Sequence, residues 1–176
     1  DIYNANPNNS EVVIAIVDDA VNIQHEDFQG ALWINPGEIP GNGIDDDGNG
    51  YIDDINGWDA AMNDSDPNPP ATVTNSYFMH GTHVAGSAAA VSNNATGISS
   101  ISGAGQNKVK IMAVKTKLDT SPGVELEAPI EGVEYAIAAG AQIINMSFGN
   151  YSYSHTFQNL LITAHCLGIT LVAAAG

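Results

Sequence analysis

The sequence predicts an α/β fold, a parallel β-sheet flanked by helices, and three observations carry that expectation. Four short, mainly apolar runs, at 12–17, 109–114, 142–146 and 169–174, have the length and composition of buried parallel strands. Helical patterns at 84–91, 129–139 and 154–167 lie between or beside them. A parallel pair needs a crossover, so strands alternating with helices build a parallel sheet.

The individual elements carry their own punctuation. The pattern at 84–91 is small and apolar and follows a Gly-Thr-His turn. The 129–139 pattern opens on Pro129 and stops at Gly140, the order that helix termini favour. The 154–167 pattern opens on Ser154, an N-capping residue, and stops at Gly168. Cys166 falls among alternating apolar and polar residues at helical spacing, which predicts a buried structural thiol, with His165 on a different helical face. The segment 35–71 breaks the alternation. It is rich in Gly, Pro, Asn and Asp, shows little periodicity, and is long enough that a function is expected of it. A shorter aperiodic loop covers 119–128.

Composition limits the function classes. At 176 residues the chain is about one domain, and 44% hydrophobic content is enough to bury a core. Twenty acidic residues stand against four lysines and no arginine, a formal charge of −16. Such a surface repels nucleic acid and anionic membranes, so neither is expected as a partner. No run approaches the ~20 apolar residues of a membrane span. One cysteine, Cys166, excludes an internal disulfide and a multi-cysteine metal site. The acids cluster between Asp45 and Asp66, which calls for strong solvation or bound cations.

Two short motifs carry chemistry. The first strand ends in Val17-Asp18-Asp19-Ala20. Functional groups gather at the carboxyl ends of parallel strands, although Asp18 taken alone reads first as an acidic turn residue. The second motif is His80-Gly81-Thr82-His83-Val84-Ala85-Gly86. A histidine opening a helix is partly exposed and aimed out of the sheet. Taken alone it is also compatible with a satisfied core histidine or an H-x-x-H metal pair. The absence of a Glu between the histidines and of an obvious third ligand speaks against zinc.

Together these motifs resemble the subtilisin-like serine proteases, in which an Asp-Thr/Ser-Gly motif ends the first strand and His-Gly-Thr-His-Val-Ala-Gly opens a helix. The resemblance continues through 110–115 (KIMAVK), a core strand, and 143–149 (IINMSFG), the strand and wall of the primary specificity pocket. It extends to 171–176 (LVAAAG), the strand that runs toward the oxyanion-hole Asn. It implies that residues 1–176 are the N-terminal part of such a catalytic domain, with a calcium-binding insertion at about 35–71. Asp18 would then orient the imidazole, and His80 would be general base and then acid, in the chain order Asp, His, Ser. His83 would be buried and structural. Ser147, Phe148 and Gly149 would bind an extended polypeptide substrate. Asp19 stands where the family has Thr or Ser, and Ala20 where it has Gly. The oxyanion Asn and the Gly-Thr-Ser-Met-Ala nucleophile are not among these residues. The 176 residues alone are therefore expected to be inactive, and either to associate with the rest of the domain or to self-associate. A secreted, extracellular endopeptidase is the leading expectation; a non-catalytic calcium-binding module of the same fold is the alternative.

The run Asp45-Asp46-Asp47-Gly48-Asn49-Gly50-Tyr51-Ile52-Asp53 matches the calcium-loop pattern D-x-[DN]-x-[DN]-G. The expected ligands are the side chains of Asp45, Asp47, Asn49 and Asp53 and the carbonyl of Tyr51. Asn56 occupies the place of the bidentate Glu of an EF-hand, and no helical pattern flanks the loop, so a static Ca²⁺ clamp is expected. The competing reading is a solvated acidic loop. The family resemblance implies a second Ca²⁺ site at Asp27 and Asn94, and a further calcium loop at Asp64 and Asp66.

Overall fold

The computed structural model describes residues 11–71, 76–102, 108–150 and 152–175. It contains five strands, β1 (Val12–Asp18), β2 (Gly57–Asp59), β3 (Val109–Lys115), β4 (Ile143–Met146) and β5 (Thr170–Ala173). Three helices accompany them, α1 (His80–Ala89), α2 (Pro129–Ala138) and α3 (His155–Cys166). The strands form one sheet in the order β2-β3-β1-β4-β5, with every pair parallel. The expected α/β class and the four expected strands are present, shifted by a residue or two at their ends.

Strand alternation divides the interior into two cores. Val13, Ala15 and Val17 of β1 face the same side as Met112, Val114 and Ile144, where α2 and α3 supply Val133, Tyr135, Ala136 and Ala164. Ile16 faces the other side with Ile111, Ala113 and Phe28, under Ala85 and Ala89 of α1. Side chains two apart on a strand share a face, so Asp18 has the parity of Ile16 and projects toward α1. The sheet's period alone thus aims this carboxylate at the helix that begins with His80.

Several expectations are corrected. The segment 35–71 is not without regular structure, because β2 lies within it and pairs with β3 through Trp58↔Val114. Helix α1 begins at His80, four residues before the apolar pattern at 84–91. The run 169–174 is not a buried strand: β5 is the edge of the described sheet, and Val172 is 46% exposed. Cys166 is exposed rather than buried. It lies two residues, about 200° of helix rotation, from Ala164, the buried residue of α3. His83 is likewise exposed rather than buried, because α1 turns Gly81, Ala85, Gly86 and Ala89 to the sheet and His83 lies opposite them.

Candidate active site

Asp18 is the last residue of β1 and is 2% exposed. Its Oδ1 accepts from the Asp19 amide at 2.8 Å and lies 2.8 Å from Nδ1 of His80. Asp18 Oδ2 is buried without a hydrogen-bond partner among the described residues. Burial pushes the Asp18 carboxyl above its usual range, against the opposing pull of the His80 hydrogen bond. The hydrogen bond to Asp18 raises the His80 imidazole above its ordinary 6.5, and burial opposes it. The His80 side chain is 57% exposed, so one nitrogen is held by a buried carboxylate while the ring stays open to solvent. An ionised Asp18 can only accept, which places the ring proton on Nδ1 and leaves Nε2 as the acceptor that general-base work requires.

Helix α1 reaches this position because its start is gripped from β1. Met79 precedes the helix and makes no side-chain cap. The Asp19 carboxylate takes that place: Oδ2 accepts from the His80 amide at 3.1 Å and Oδ1 from the Gly81 amide at 2.8 Å. Gly81 is required here by close approach. A Cβ would meet the Ala20 carbonyl oxygen at 2.4 Å and Asp18 Cβ at 2.9 Å.

Ser147, Phe148 and Gly149 follow β4, the neighbour of β1. The parallel pairing of β1 with β4, through Ile16↔Asn145, puts the carboxyl ends of the two strands on the same edge of the sheet, and Ser147 follows directly on β4. Ser147 Oγ accepts from Asn145 Nδ2 at 2.9 Å, and Phe148 packs half-buried against the α2 and α3 core. On the other side of β1, Lys115 is the register partner of Asp18. Its ammonium is buried, pairs with Asp59 at 2.6 Å and also binds Asp119. Burial works against that charge, and the two carboxylates outweigh it and hold the Lys115 ammonium above its ordinary range.

The acidic segment gathers some of its expected ligands and not others. Glu38, Asp45 and Asp47 each offer a carboxylate oxygen, and these oxygens lie within 4.8 Å of one another. Asn49 is adjacent, donating from Nδ2 to Asp47 at 3.2 Å. Tyr51 follows with its amide on Asn49 Oδ1 at 2.8 Å and its ring edge-on to Tyr135. Asp53 is not brought to the cluster: its carboxylate accepts from the Gly41, Asn42 and Gly43 amides. Glu38 stands seven residues before the motif, and no spacing rule pointed to it. Asp46 turns away, to the Ile39 amide and Asn42 Nδ2.

Asp54 is fully buried beneath the cluster. It accepts from Tyr135 Oη at 2.8 Å, Asn35 Nδ2 at 2.8 Å and Asn49 Nδ2 at 3.2 Å. Burial pushes its carboxyl up despite these donors. Burial, then the neighbouring Asp54 charge, pushes the Tyr135 hydroxyl well above the usual tyrosine range. In sequence Asp54 was one of a pair with Asp53, and nothing local distinguished the buried one.

Asp27 and Asn94 are brought together. Asp27 Oδ1 accepts from Asn94 Nδ2 at 2.9 Å and Oδ2 from the Ile98 amide at 2.9 Å. The Ile98 amide, chiefly, holds the Asp27 carboxyl below its usual range. Gly97 has φ of +56°, and a Cβ there would fall 2.0 Å from Asp27 Oδ2. Asp64 and Asp66 form consecutive turns, accepting from the amides of Asp66 and Asn68 respectively.

The Subtilase family (peptidase S8) matches residues 9–176. The chain is 33% identical over 163 residues to the thermophilic serine proteinase of Bacillus sp. (strain AK1), covering 93% of this chain and 32% of that protein. It is 34% identical over 163 residues to thermitase of Thermoactinomyces vulgaris, covering 93% of this chain and 46% of that protein. Among solved structures, fervidolysin from Fervidobacterium pennivorans, a keratinolytic enzyme related to subtilisin, superposes with a TM-score of 0.66 at 22% identity. That match covers 96% of this chain and 22% of the other. The S218A mutant of the PatA protease domain superposes with a TM-score of 0.62 at 25% identity, over 94% of this chain and 50% of the other. The chain thus spans less than half the length of these two curated relatives.

Proposed function

This chain belongs to the subtilase family, and from that premise we propose that it supplies the aspartate and histidine of a serine endopeptidase. The observation that carries the proposal is the 2.8 Å contact between Asp18 Oδ1 and His80 Nδ1 at the carboxyl edge of the sheet. His80 removes the proton from a serine hydroxyl as it attacks the peptide carbonyl, and then returns it to the leaving amine. Asp18 holds the imidazole in the required tautomer and stabilises the imidazolium that forms. The backbone of Ser147, Phe148 and Gly149 is proposed to bind an extended polypeptide substrate by strand addition. On this reading the nucleophile is not among these residues, none of which is a serine in the family's Gly-Thr-Ser-Met-Ala setting.

The insertion at 35–71 is proposed to hold calcium. Carboxylate oxygens from Glu38, Asp45 and Asp47 are the hard donors that Ca²⁺ takes, whereas Asn49 turns its Nδ2 to Asp47 and its Oδ1 to the Tyr51 amide. Asp27 and Asn94 form a second candidate pair. An extracellular location fits such loops, where calcium is abundant. Among the described residues no helix is long and apolar enough to cross a membrane.

The test is hydrolysis of a peptide substrate by residues 1–176 alone and by the longest polypeptide encoded with them. Hydrolysis by the longer form, its loss on His80→Ala, and none by the 176 residues are expected. A longer form that is calcium-stabilised but never cleaves peptide would instead establish the non-catalytic module.

A further inference from the structure

We infer that Asp19 is a positioning residue for the Asp18–His80 pair: its carboxylate caps helix α1 from another segment of the chain and fixes where the imidazole stands. The inference rests on the proposed catalytic reading of that pair. An α-helix leaves its first amides without intrahelical acceptors, and a side chain immediately before the helix ordinarily satisfies them. Here Met79 occupies that place, and its side chain has no oxygen to offer. The acceptor comes from 61 residues away, where Asp19 Oδ2 takes the His80 amide and Oδ1 takes the Gly81 amide. The same Oδ1 also accepts from the Ala20 amide at 2.7 Å.

One carboxylate therefore joins three amides on two segments. A serine or threonine, the residue types of the resembling motif, carries a single side-chain oxygen and cannot span this set. Consecutive residues divide the work. Asp18 holds the His80 ring and Asp19 holds the His80 backbone, so the imidazole is located from both ends. Two further contacts set the same register. The Asn22 amide donates to Thr82 Oγ1 at 2.9 Å, and Gly81 leaves room for the Ala20 carbonyl. The negative charge lies at the positive end of the helix dipole, which favours it there. The titratable groups nearest the His80 ring are Asp18 and Asp19. Lys115, beside Asp18 in the sheet, is occupied by Asp59 and Asp119.

The test is made in the intact protein by NMR, reading amide exchange at His80 and Gly81 and the titration midpoint of the His80 ring. Asp19→Ala is expected to speed exchange at both amides by about tenfold, the scale of a lost cap, and to lower the midpoint toward its value in Asp18→Asn. Asp19→Asn keeps one acceptor oxygen and is expected to fold and to restore protection at one of the two amides. Val133→Ala, in the core on the opposite face of the sheet, is expected to destabilise the protein without moving the midpoint. Unchanged exchange and midpoint in both Asp19 variants, with Asp18→Asn still lowering the midpoint, would overturn the role of Asp19 alone. An equal shift from Val133→Ala would overturn it as well, by reducing it to general stability. A midpoint that Asp18→Asn fails to move would remove the pair itself, and with it the catalytic reading.

Discussion

Asp18 and His80 are 62 residues apart in sequence and 2.8 Å apart in space, oxygen to Nδ1. The carboxylate is buried and the ring is open, so the pair is polarised: one partner is fixed and the other is available to reagents. The His80 imidazole is therefore expected to titrate above 6.5, because the imidazolium gains the Asp18 hydrogen bond on folding. A group raised in this way contributes stability fully below its unfolded value and loses it as pH rises through the folded one. Asp18→Asn should lower the midpoint and flatten that part of the stability profile. NMR titration of the ring and denaturant melts on either side of 6.5 measure both.

Gly81→Ala sets two effects against each other. Alanine is the better helix former by about 1 kcal/mol. Its Cβ would meet the Ala20 carbonyl oxygen at 2.4 Å, a backbone atom that cannot move without shifting the end of β1. Overpacking of this kind costs about 1–3 kcal/mol, so net destabilisation is expected, together with a displaced His80. Thermal melting gives the sign, and a stabilised variant would show that α1 does not approach β1 this closely.

Tyr135→Phe removes a hydroxyl that donates to the fully buried Asp54. Losing a donor to a charged, buried acceptor should cost about 1.5–3 kcal/mol near neutral pH. Asp54 is raised above its ordinary value by burial, so its charge is an unfavourable contribution that grows as pH rises from the unfolded value through the folded one. The penalty of Tyr135→Phe should therefore shrink in acid, where Asp54 is neutral. Melts of both proteins across pH test this, and a pH-independent difference would contradict it.

The calcium proposal separates the acids by geometry. Glu38→Gln, Asp45→Ala and Asp47→Ala should abolish most of the difference in melting midpoint between Ca²⁺ and EDTA. At a ligand concentration about 100 times Kd that difference corresponds to about 2.7 kcal/mol. Asp46→Ala and Asp53→Ala should preserve the calcium response, because their carboxylates lie outside the group formed by Glu38, Asp45 and Asp47. Asp53→Ala should still lower the baseline stability by releasing the turn at Gly41–Gly43. Equal midpoints in Ca²⁺ and EDTA for the unsubstituted protein would mean the loop is merely acidic.

Much of this was legible in sequence, for reasons that differ by element. β1 and β3 are buried on both faces over most of their length, so their apolar runs are easily seen, and β4 shows through Ile144 and Met146, its buried residues. β2 was missed because three residues, Gly57, Trp58 and Asp59, are too short to show a period; their strand conformation is imposed by pairing with β3. The start of α1 is marked by the His80 motif and not by the apolar pattern at 84–91, because the first turn, 80–83, carries no large apolar side chain and its cap, Asp19, is remote in sequence. Asp18 and His80 were found through their motifs, and Asp27 and Asn94 through resemblance. Glu38 and Asp54 were not found, because a chain turn brings Glu38 to the cluster and burial selects Asp54 over Asp53. Cys166 failed because helical periodicity does not say which stripe of a helix meets the sheet, and His83 because its burial was implied by the family resemblance alone.

The central claim is that Asp18 and His80 are the acid–base machinery of a serine endopeptidase, and the most direct measurement is kcat/KM for Asp18→Asn. It is made in the longest polypeptide encoded with residues 1–176, beside the unsubstituted protein, on one peptide substrate. The amide keeps the size of the side chain and removes the charge that holds the imidazole tautomer. The account predicts a fall of about 10⁴-fold with the fold intact. Activity within about tenfold of the unsubstituted protein, less than positioned general-base catalysis contributes, would contradict it.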